Sequence, residues 1–160
     1  SDMYLASFPG IPVTALIDYN NNVTVDSVRL AKHLGKNLRA IRVDTSKSLI
    51  DHYFDDKDTS GFDPHGVCKE LIFALRKTLD DNGFTWVKII VSSGFDAKKI
   101  AEWVKLGVPV DTYGVGTSLV NNTTVGFTGD LVELDGHPQA KEGRRNIPSD
   151  RLKKVPYPIY

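Results

Sequence analysis

The chain has 160 residues, of which 41% are hydrophobic and 25% are charged, a composition typical of one globular domain. Lysine and arginine together number 20, as do aspartate and glutamate. The resulting net charge of zero argues against nucleic acid and anionic membranes as partners. Apolar runs stay far below the roughly 20 residues of a membrane span, and we expect no secretory signal. The single cysteine rules out an internal disulfide, so we expect a cytoplasmic protein.

Short apolar, β-branched runs alternate with amphipathic stretches through most of the chain. Their lengths and their polar ends predict strands at residues 12–17, 38–43, 86–91 and 110–113. The polar stretch 45–61 is long for a connection, which indicates either a functional loop or a mobile one. Further along, Asp135-Gly136 within an alternating segment predicts a hairpin turn.

Helices are predicted between these strands from capping residues and from apolar residues at helical spacing. The predicted limits are Thr24 to Gly35, Asp63-Pro64 to Gly83, and a short helix capped by Asp96. Cys68 is expected inside the second helix as a small packed side chain, and Trp86 and Trp103 are expected in the core.

Strands that alternate with helices predict right-handed βαβ units and a parallel sheet. A complete (β/α)₈ barrel takes about 250 residues and eight units, whereas four units are visible here. The fold is therefore expected to be α/β, either as an open four-stranded sheet or as part of a barrel. We expect residues 1–124 to form this unit and residues 125–160 to form a β-containing extension and tail.

Each of the four predicted strands ends in polar or glycine residues. In parallel α/β folds, ligands bind outside the carboxyl ends of the strands, so these residues are expected to share one site. They are Asp18, Asp44, the run Ser92-Ser93-Gly94, and the run from Gly114 to Thr117.

The Gly114-x-Gly116-Thr117 motif is the strongest single indication of a phosphate site. Glycines let the backbone approach a phosphate, whose oxygens accept from successive N–H groups and from the hydroxyl groups of Thr117 and Ser118. A helix starting there would add positive partial charge. The alternative is a tight turn that needs glycine. Ser93-Gly94 on the preceding strand favours the phosphate interpretation, because paired loops of this kind recur in barrel enzymes.

Arg42 and Asp44 lie on the same face of their predicted strand, since side chains alternate. Arginine can hold a carboxylate with two parallel hydrogen bonds, and aspartate can accept from sugar hydroxyls or hold Mg²⁺. The alternatives are a structural ion pair for Arg42 with Asp44 and a loop cap for Asp18. The histidines show no ligand spacing and are expected on the surface.

Taken in order, these strand ends resemble the nicotinate phosphoribosyltransferase family. The resemblance rests on residues 15–18, 41–45, 90–96 and 113–118, and on the later segment 131–141. It implies that nicotinate and phosphoribosyl pyrophosphate are converted to nicotinate mononucleotide and pyrophosphate in NAD biosynthesis. In the family, ATP hydrolysis is coupled through a phosphorylated histidine.

The resemblance also implies a role for each strand end. Arg42 would face the pyridine acid, Asp44 the ribose hydroxyls, and Asp18 the pyrophosphate and Mg²⁺. Ser93 and the other loop residues, Gly94, Gly114, Gly116 and Thr117, would bind the 5′-phosphate.

The chain departs from the family pattern at Asn20-Asn21-Asn22 and at Ser93, where a second glycine is common. The family's N-terminal half, with its aromatic base clamp and phosphohistidine, is not recognisable. We therefore expect a fragment that corresponds to the C-terminal half of the barrel, is inactive alone, and self-associates. The alternatives are a quinolinate phosphoribosyltransferase and a non-catalytic phosphate-binding α/β module.

Overall fold

The computed structural model describes residues 2–120 and 129–151. Four parallel strands form one sheet in the order β1-β2-β3-β4. Their bounds are β1 (Val13–Ile17), β2 (Leu38–Val43), β3 (Lys88–Val91) and β4 (Thr112–Tyr113). The first two follow the prediction closely, and the last two are shorter than predicted. The carboxylate of Asp111 accepts from the Ile89 N–H at 2.8 Å, so a side chain replaces a backbone acceptor just before β4.

The helices lie between the strands as predicted, with an additional one at the start of the chain. Their bounds are α1 (Asp2–Ser7), α2 (Val23–Leu34), α3 (Lys69–Asp81), α4 (Ala97–Lys105) and α5 (Thr117–Val120). Asp96 caps α4 as expected, since its carboxylate accepts from the Lys99 N–H. Gly35 follows α2 with a φ of 53°, which suits glycine.

The cap predicted for α2 is wrong by two residues. The Asn22 side chain accepts from the Val25 N–H, so Asn22 is the N-cap. Thr24 lies within the first turn and is buried. Threonine and asparagine both cap helices well, and sequence alone gave no reason to choose between two such residues so close together.

The predicted start of α3 at Asp63-Pro64 is also wrong, because the helix begins at Lys69. The Asp63 carboxylate accepts from the backbone N–H of His65 two residues on, which favours a local turn over a helix cap. His65 then bridges to Ile50 in antiparallel fashion. Cys68 is therefore the N-cap residue rather than part of the helix, and it is buried as expected.

The first part of the loop between β2 and α3 is packed, whereas most of residues 55–61 are exposed. Thr45, Asp51 and Phe54 are all buried, and residues His52–Phe54 form a 3₁₀ turn. The Asp51 carboxylate accepts from the N–H groups of Val23 at 3.0 Å and Tyr53 at 2.9 Å. This buried acid holds the loop against the start of α2.

Helices α2 and α3 pack on one face of the sheet and contact each other. The core lies between them and the inward strand residues, which are Ala15, Ile17, Ile41, Val43, Ile89 and Val91. On the opposite face, Thr14, Leu16 and Arg42 are exposed. Strands in sequential order with helices on one face are the arrangement of consecutive units in a (β/α)₈ barrel, whereas a doubly wound sheet covers both faces.

A small antiparallel hairpin follows, with β5 (Glu133–Leu134) and β6 (His137–Pro138) joined through Asp135-Gly136. Both turn residues have positive φ, as this two-residue turn requires. The predicted domain limit at residues 124 and 125 lies outside the described residues. Trp103 is buried as predicted, whereas Trp86 only packs partly against the core. Within the described ranges, no helix has the length and hydropathy to cross a membrane.

Candidate functional site

A cleft of about 680 Å³ lies at the carboxyl ends of β2, β3 and β4. All of the predicted site residues except Asp18 line it. They are Arg42, Asp44, Ser93, Gly94, Gly114, Gly116 and Thr117. The parallel register explains this convergence, because Arg42 pairs with Ile90, and Ile90 pairs with Thr112, so the three strands end at one edge.

Arg42 and Asp44 form the wall of the cleft at the end of β2. The guanidinium of Arg42 lies 3.6 Å from Asp44 Oδ2, and both side chains are partly exposed. This contact is too long for a strong hydrogen bond, so the guanidinium retains donors for a ligand. Asp44 is held instead by Ser92, whose hydroxyl lies 2.9 Å from the same oxygen.

The loop after β3 has an unusual backbone. Ser93 and Gly94 both have positive φ, of 77° and 74°. Glycine adopts this conformation freely, whereas a serine there is strained, and such strain clusters at functional sites. Phe95 anchors the loop to the core, because it is buried and its ring packs edge-on against Trp103 with centroids 4.9 Å apart.

The loop after β4 needs its two glycines for different reasons. A Cβ on Gly114 would lie 3.1 Å from the Cβ of Ser92, so the close approach of the two loops requires glycine there. A Cβ on Gly116 would meet nothing within 4 Å, and its φ is not positive. Neither the backbone conformation nor the packing around Gly116 therefore requires glycine. A side chain at this position would instead occupy part of the cleft, which Gly116 lines.

The two loops present unused backbone donors. Among the described residues, the N–H groups of Gly94, Gly116 and Thr117 have no hydrogen-bond acceptor. Exposed N–H groups of this kind bind anions. Ser118 and the dipole of α5 contribute less to anion binding than the sequence predicted. The Ser118 hydroxyl donates to the Phe95 carbonyl at 3.1 Å, and α5 has only four residues.

Asp18 follows β1 but lies outside the cleft lining. Its carboxylate accepts from the Lys141 ammonium at 2.6 Å, and Asp130 lies 3.9 Å from the same nitrogen. Asp130 also pairs with Arg144 at 2.8 Å. The end of β1 therefore already accommodates one cation between two carboxylates. Within residues 2–120 and 129–151, no three His, Cys, Asp or Glu side chains are grouped to hold a metal.

The histidines lie away from the cleft, as predicted, and three of them bond to acidic side chains. His52 bonds to Asp55 and to Glu142, each at 2.8 Å, and the bond to Asp55 does most to raise the pKa of His52. The bond to Glu142 ties the segment after β6 to the loop after β2.

Lys47 was missed by sequence reasoning. It follows Asp44 by three residues, and its side chain ends against Gly94, where a Cβ would lie 3.0 Å from the Lys47 ammonium nitrogen. This contact joins loops that are 47 positions apart in the chain, so no local pattern could indicate it.

Comparison with known proteins finds relatives that share one name. Nicotinate phosphoribosyltransferase pncB1 of Mycobacterium tuberculosis is 32% identical over 148 residues, which cover 90% of this chain. The pncB2 enzyme of the same species is 33% identical over 138 residues, or 81% of the chain. This chain is related to the nicotinate phosphoribosyltransferase family. The alignments cover only 28% and 26% of those two proteins, respectively.

A solved structure supports both the family and the fold. Nicotinate-nucleotide pyrophosphorylase from Pyrococcus furiosus superposes with a TM-score of 0.56 and 34% sequence identity. The superposition covers 89% of this chain and 32% of that one. No family model matches the chain. The predicted α/β class and the family resemblance are thus confirmed.

Proposed function

We propose that this chain forms the sugar-phosphate-binding part of a nicotinate phosphoribosyltransferase. The observation that carries the proposal is the convergence of two loops beside Arg42 and Asp44, whose N–H groups at Gly94, Gly116 and Thr117 have no acceptor among the described residues. A phosphate, a sugar and a carboxylate each have a chemically suitable partner there.

In the proposed reaction, the pyridine nitrogen of nicotinate attacks the anomeric carbon of phosphoribosyl pyrophosphate. The carbon–nitrogen bond forms as the bond to pyrophosphate breaks. Arg42 would hold the nicotinate carboxylate with two parallel hydrogen bonds, and Asp44 would accept from the ribose hydroxyls. The loop N–H groups would bind the 5′-phosphate. Positioning and charge stabilisation would supply most of the rate acceleration.

Asp18 is proposed to lie on the pyrophosphate side of the substrate. The Lys141 ammonium now lies between Asp18 and Asp130, so a metal ion would have to displace it to reach Asp18. Mg²⁺ bound to pyrophosphate through its oxygens would take Asp18 as one further ligand and offset the charge of the leaving group. ATP coupling and completion of the active site by another subunit are proposed from the family resemblance alone.

The substrate could instead be quinolinate, an alternative suggested by the pyrophosphorylase neighbour. The charges in the cleft favour nicotinate. Of the described residues that line the cleft, Arg42 alone is cationic, and Lys47 contacts the phosphate loop at Gly94 instead. One charged partner is therefore left for the pyridine acid, whereas quinolinate carries two carboxylates. Ligand-observed NMR with each acid, on wild type and on Arg42→Met, would separate the two. We expect nicotinate to bind more tightly than quinolinate, and R42M to lose nicotinate.

The phosphate site is tested by calorimetry with ribose 5-phosphate on wild type and on Gly116→Val. A Cβ at position 116 meets nothing within 4 Å, so we expect this variant to fold, and we expect its larger side chain to block the phosphate. Gly61→Val is the matched control, because a Cβ at position 61 also meets nothing within 4 Å. Equal binding by wild type and G116V would refute the site, and so would equal losses in G116V and G61V.

A further inference from the structure

The loop that carries Gly94 is backed by a lysine from a different part of the chain. Lys47 lies between two glycines: a Cβ on Gly66 would be 3.2 Å from the Lys47 Cα, and a Cβ on Gly94 would be 2.7 Å from its Cε. Glycine at both positions leaves room for this side chain. The ammonium group is therefore held directly against the backbone of a loop that lines the cleft.

A second lysine lies close by. The Lys99 ammonium is 4.3 Å from the ring centroid of Phe95 and 3.4 Å from the Val67 carbonyl oxygen. Phe95 immediately follows Gly94, so the two ammonium groups approach the same loop. Burial, and then repulsion by Lys47, lower the pKa of Lys99. The carboxylates of Asp96 and Glu102 act on Lys99 in the opposite direction, but neither forms an ion pair with either lysine in the described structure.

Four of the other described lysines are neutralised by carboxylates. Lys69, Lys77, Lys88 and Lys141 each lie within 2.8 Å of an acidic side chain. In the described part of the chain, neither Lys47 nor Lys99 forms such a pair, and five lysines elsewhere also form none. What distinguishes Lys47 is that its ammonium group lies against Gly94 in the loop that lines the cleft. An anion bound near both lysines would reduce their mutual repulsion, and the nearby Gly94 N–H has no acceptor among the described residues, so it is available to donate a hydrogen bond to such an anion.

We propose that Lys47 is a ligand of the phosphate bound between the two loops, and that Lys99 adds positive charge from behind Phe95. This inference rests on the proposed function. Backbone N–H groups carry no formal charge, and the Lys47 ammonium would add one positive charge to stabilise a phosphate dianion. Lys47 would thereby make the site select phosphorylated sugars over free ribose.

Calorimetry with ribose 5-phosphate and with inorganic phosphate tests this inference on wild type, Lys47→Met and Lys47→Arg. Lys98→Met is the matched control, since Lys98 is an exposed residue next to Lys99 on α4. A hydrogen bond to a charged group is worth enough that we expect K47M to bind either ligand about tenfold or more weakly. K47R should stay within about threefold of wild type, because it keeps the charge, and K98M should be unchanged.

The outcomes separate this inference from the proposed function. If G116V loses phosphate and K47M keeps it, the loops bind phosphate and the role of Lys47 is refuted. Equal losses in K47M and K98M would also refute it, because they would indicate only a general electrostatic effect. If wild type binds neither ligand, the proposed phosphate site fails, and this inference fails with it. Circular dichroism of K47M would confirm that the variant is folded.

Discussion

The Ser92 hydroxyl lies 2.9 Å from Asp44 Oδ2 and joins the carboxyl ends of β2 and β3. The same serine also packs against Gly114, whose Cβ would lie 3.1 Å from its own. One small side chain thus fixes the carboxylate proposed to bind ribose and sets the distance between the two loops proposed to bind phosphate.

We expect Ser92→Ala to weaken ribose 5-phosphate binding several-fold and to leave inorganic phosphate binding unchanged. The alanine keeps the Cβ contact with Gly114 but releases Asp44, and a single hydrogen bond contributes about 1 kcal/mol. Calorimetry with both ligands checks this, with inorganic phosphate as the internal control. A loss that is equal for the two ligands would contradict a role for Asp44 in sugar binding.

Ser93→Gly should be more stable than Ser93→Ala by about 1 kcal/mol. Both variants remove the hydroxyl, but only glycine removes the Cβ that is strained at a φ of 77°. Urea denaturation of the two variants measures the difference. Equal stability would mean that the loop relaxes around a side chain at this position and that no strain is stored there.

Asp51→Ala is expected to lower the free energy of unfolding by about 2 kcal/mol or more. It leaves the N–H groups of Val23 and Tyr53 without their acceptor in a buried position, and each unsatisfied group costs about 1–3 kcal/mol. Asp51→Asn should cost about half as much, since its oxygen still accepts one of the two bonds. Denaturation at about pH 7 measures both variants.

The pH dependence at Asp51 has a definite sign. Burial raises the pKa of Asp51 above 3.8, against the two backbone hydrogen bonds that lower it. The folded state therefore binds more protons than the unfolded state between 3.8 and the raised pKa, and ionisation of Asp51 costs stability as the pH rises through that window. Wild type should gain stability relative to D51N as the pH falls. A constant difference would contradict this.

The exposed face of the sheet predicts self-association. Leu16 is 46% exposed on that face, and β1 and β4 are the edge strands of the described sheet. Parallel sheets are normally covered on both faces, and open edges pair with other chains. Light scattering over a concentration series should show a rising mass, and Leu16→Lys should reduce it. A monomeric mass at high concentration would contradict the prediction.

Much of the fold and most of the site could be predicted because the signals are local. The strand runs end abruptly at Asp18, Asp44, Ser92 and Gly114, and parallel pairing then brings those ends together. The errors arose where contacts between distant parts of the chain determine the local structure. The Asp63 carboxylate bonds to His65 instead of beginning a helix. The local sequence around Asp51 is that of an ordinary polar loop, whereas in the structure its carboxylate is buried and accepts from the N–H of Val23, 28 residues away.

The central claim is that the two loops bind one phosphate together, and amide NMR tests it most directly. During titration with ribose 5-phosphate, the amide signals of Gly94, Gly116 and Thr117 should shift together and saturate at one ligand concentration, and they should not shift with ribose alone. Shifts confined to one loop would contradict the claim. So would shifts centred on the cavity lined by Arg76, Lys88 and Asp111, at the other end of β3.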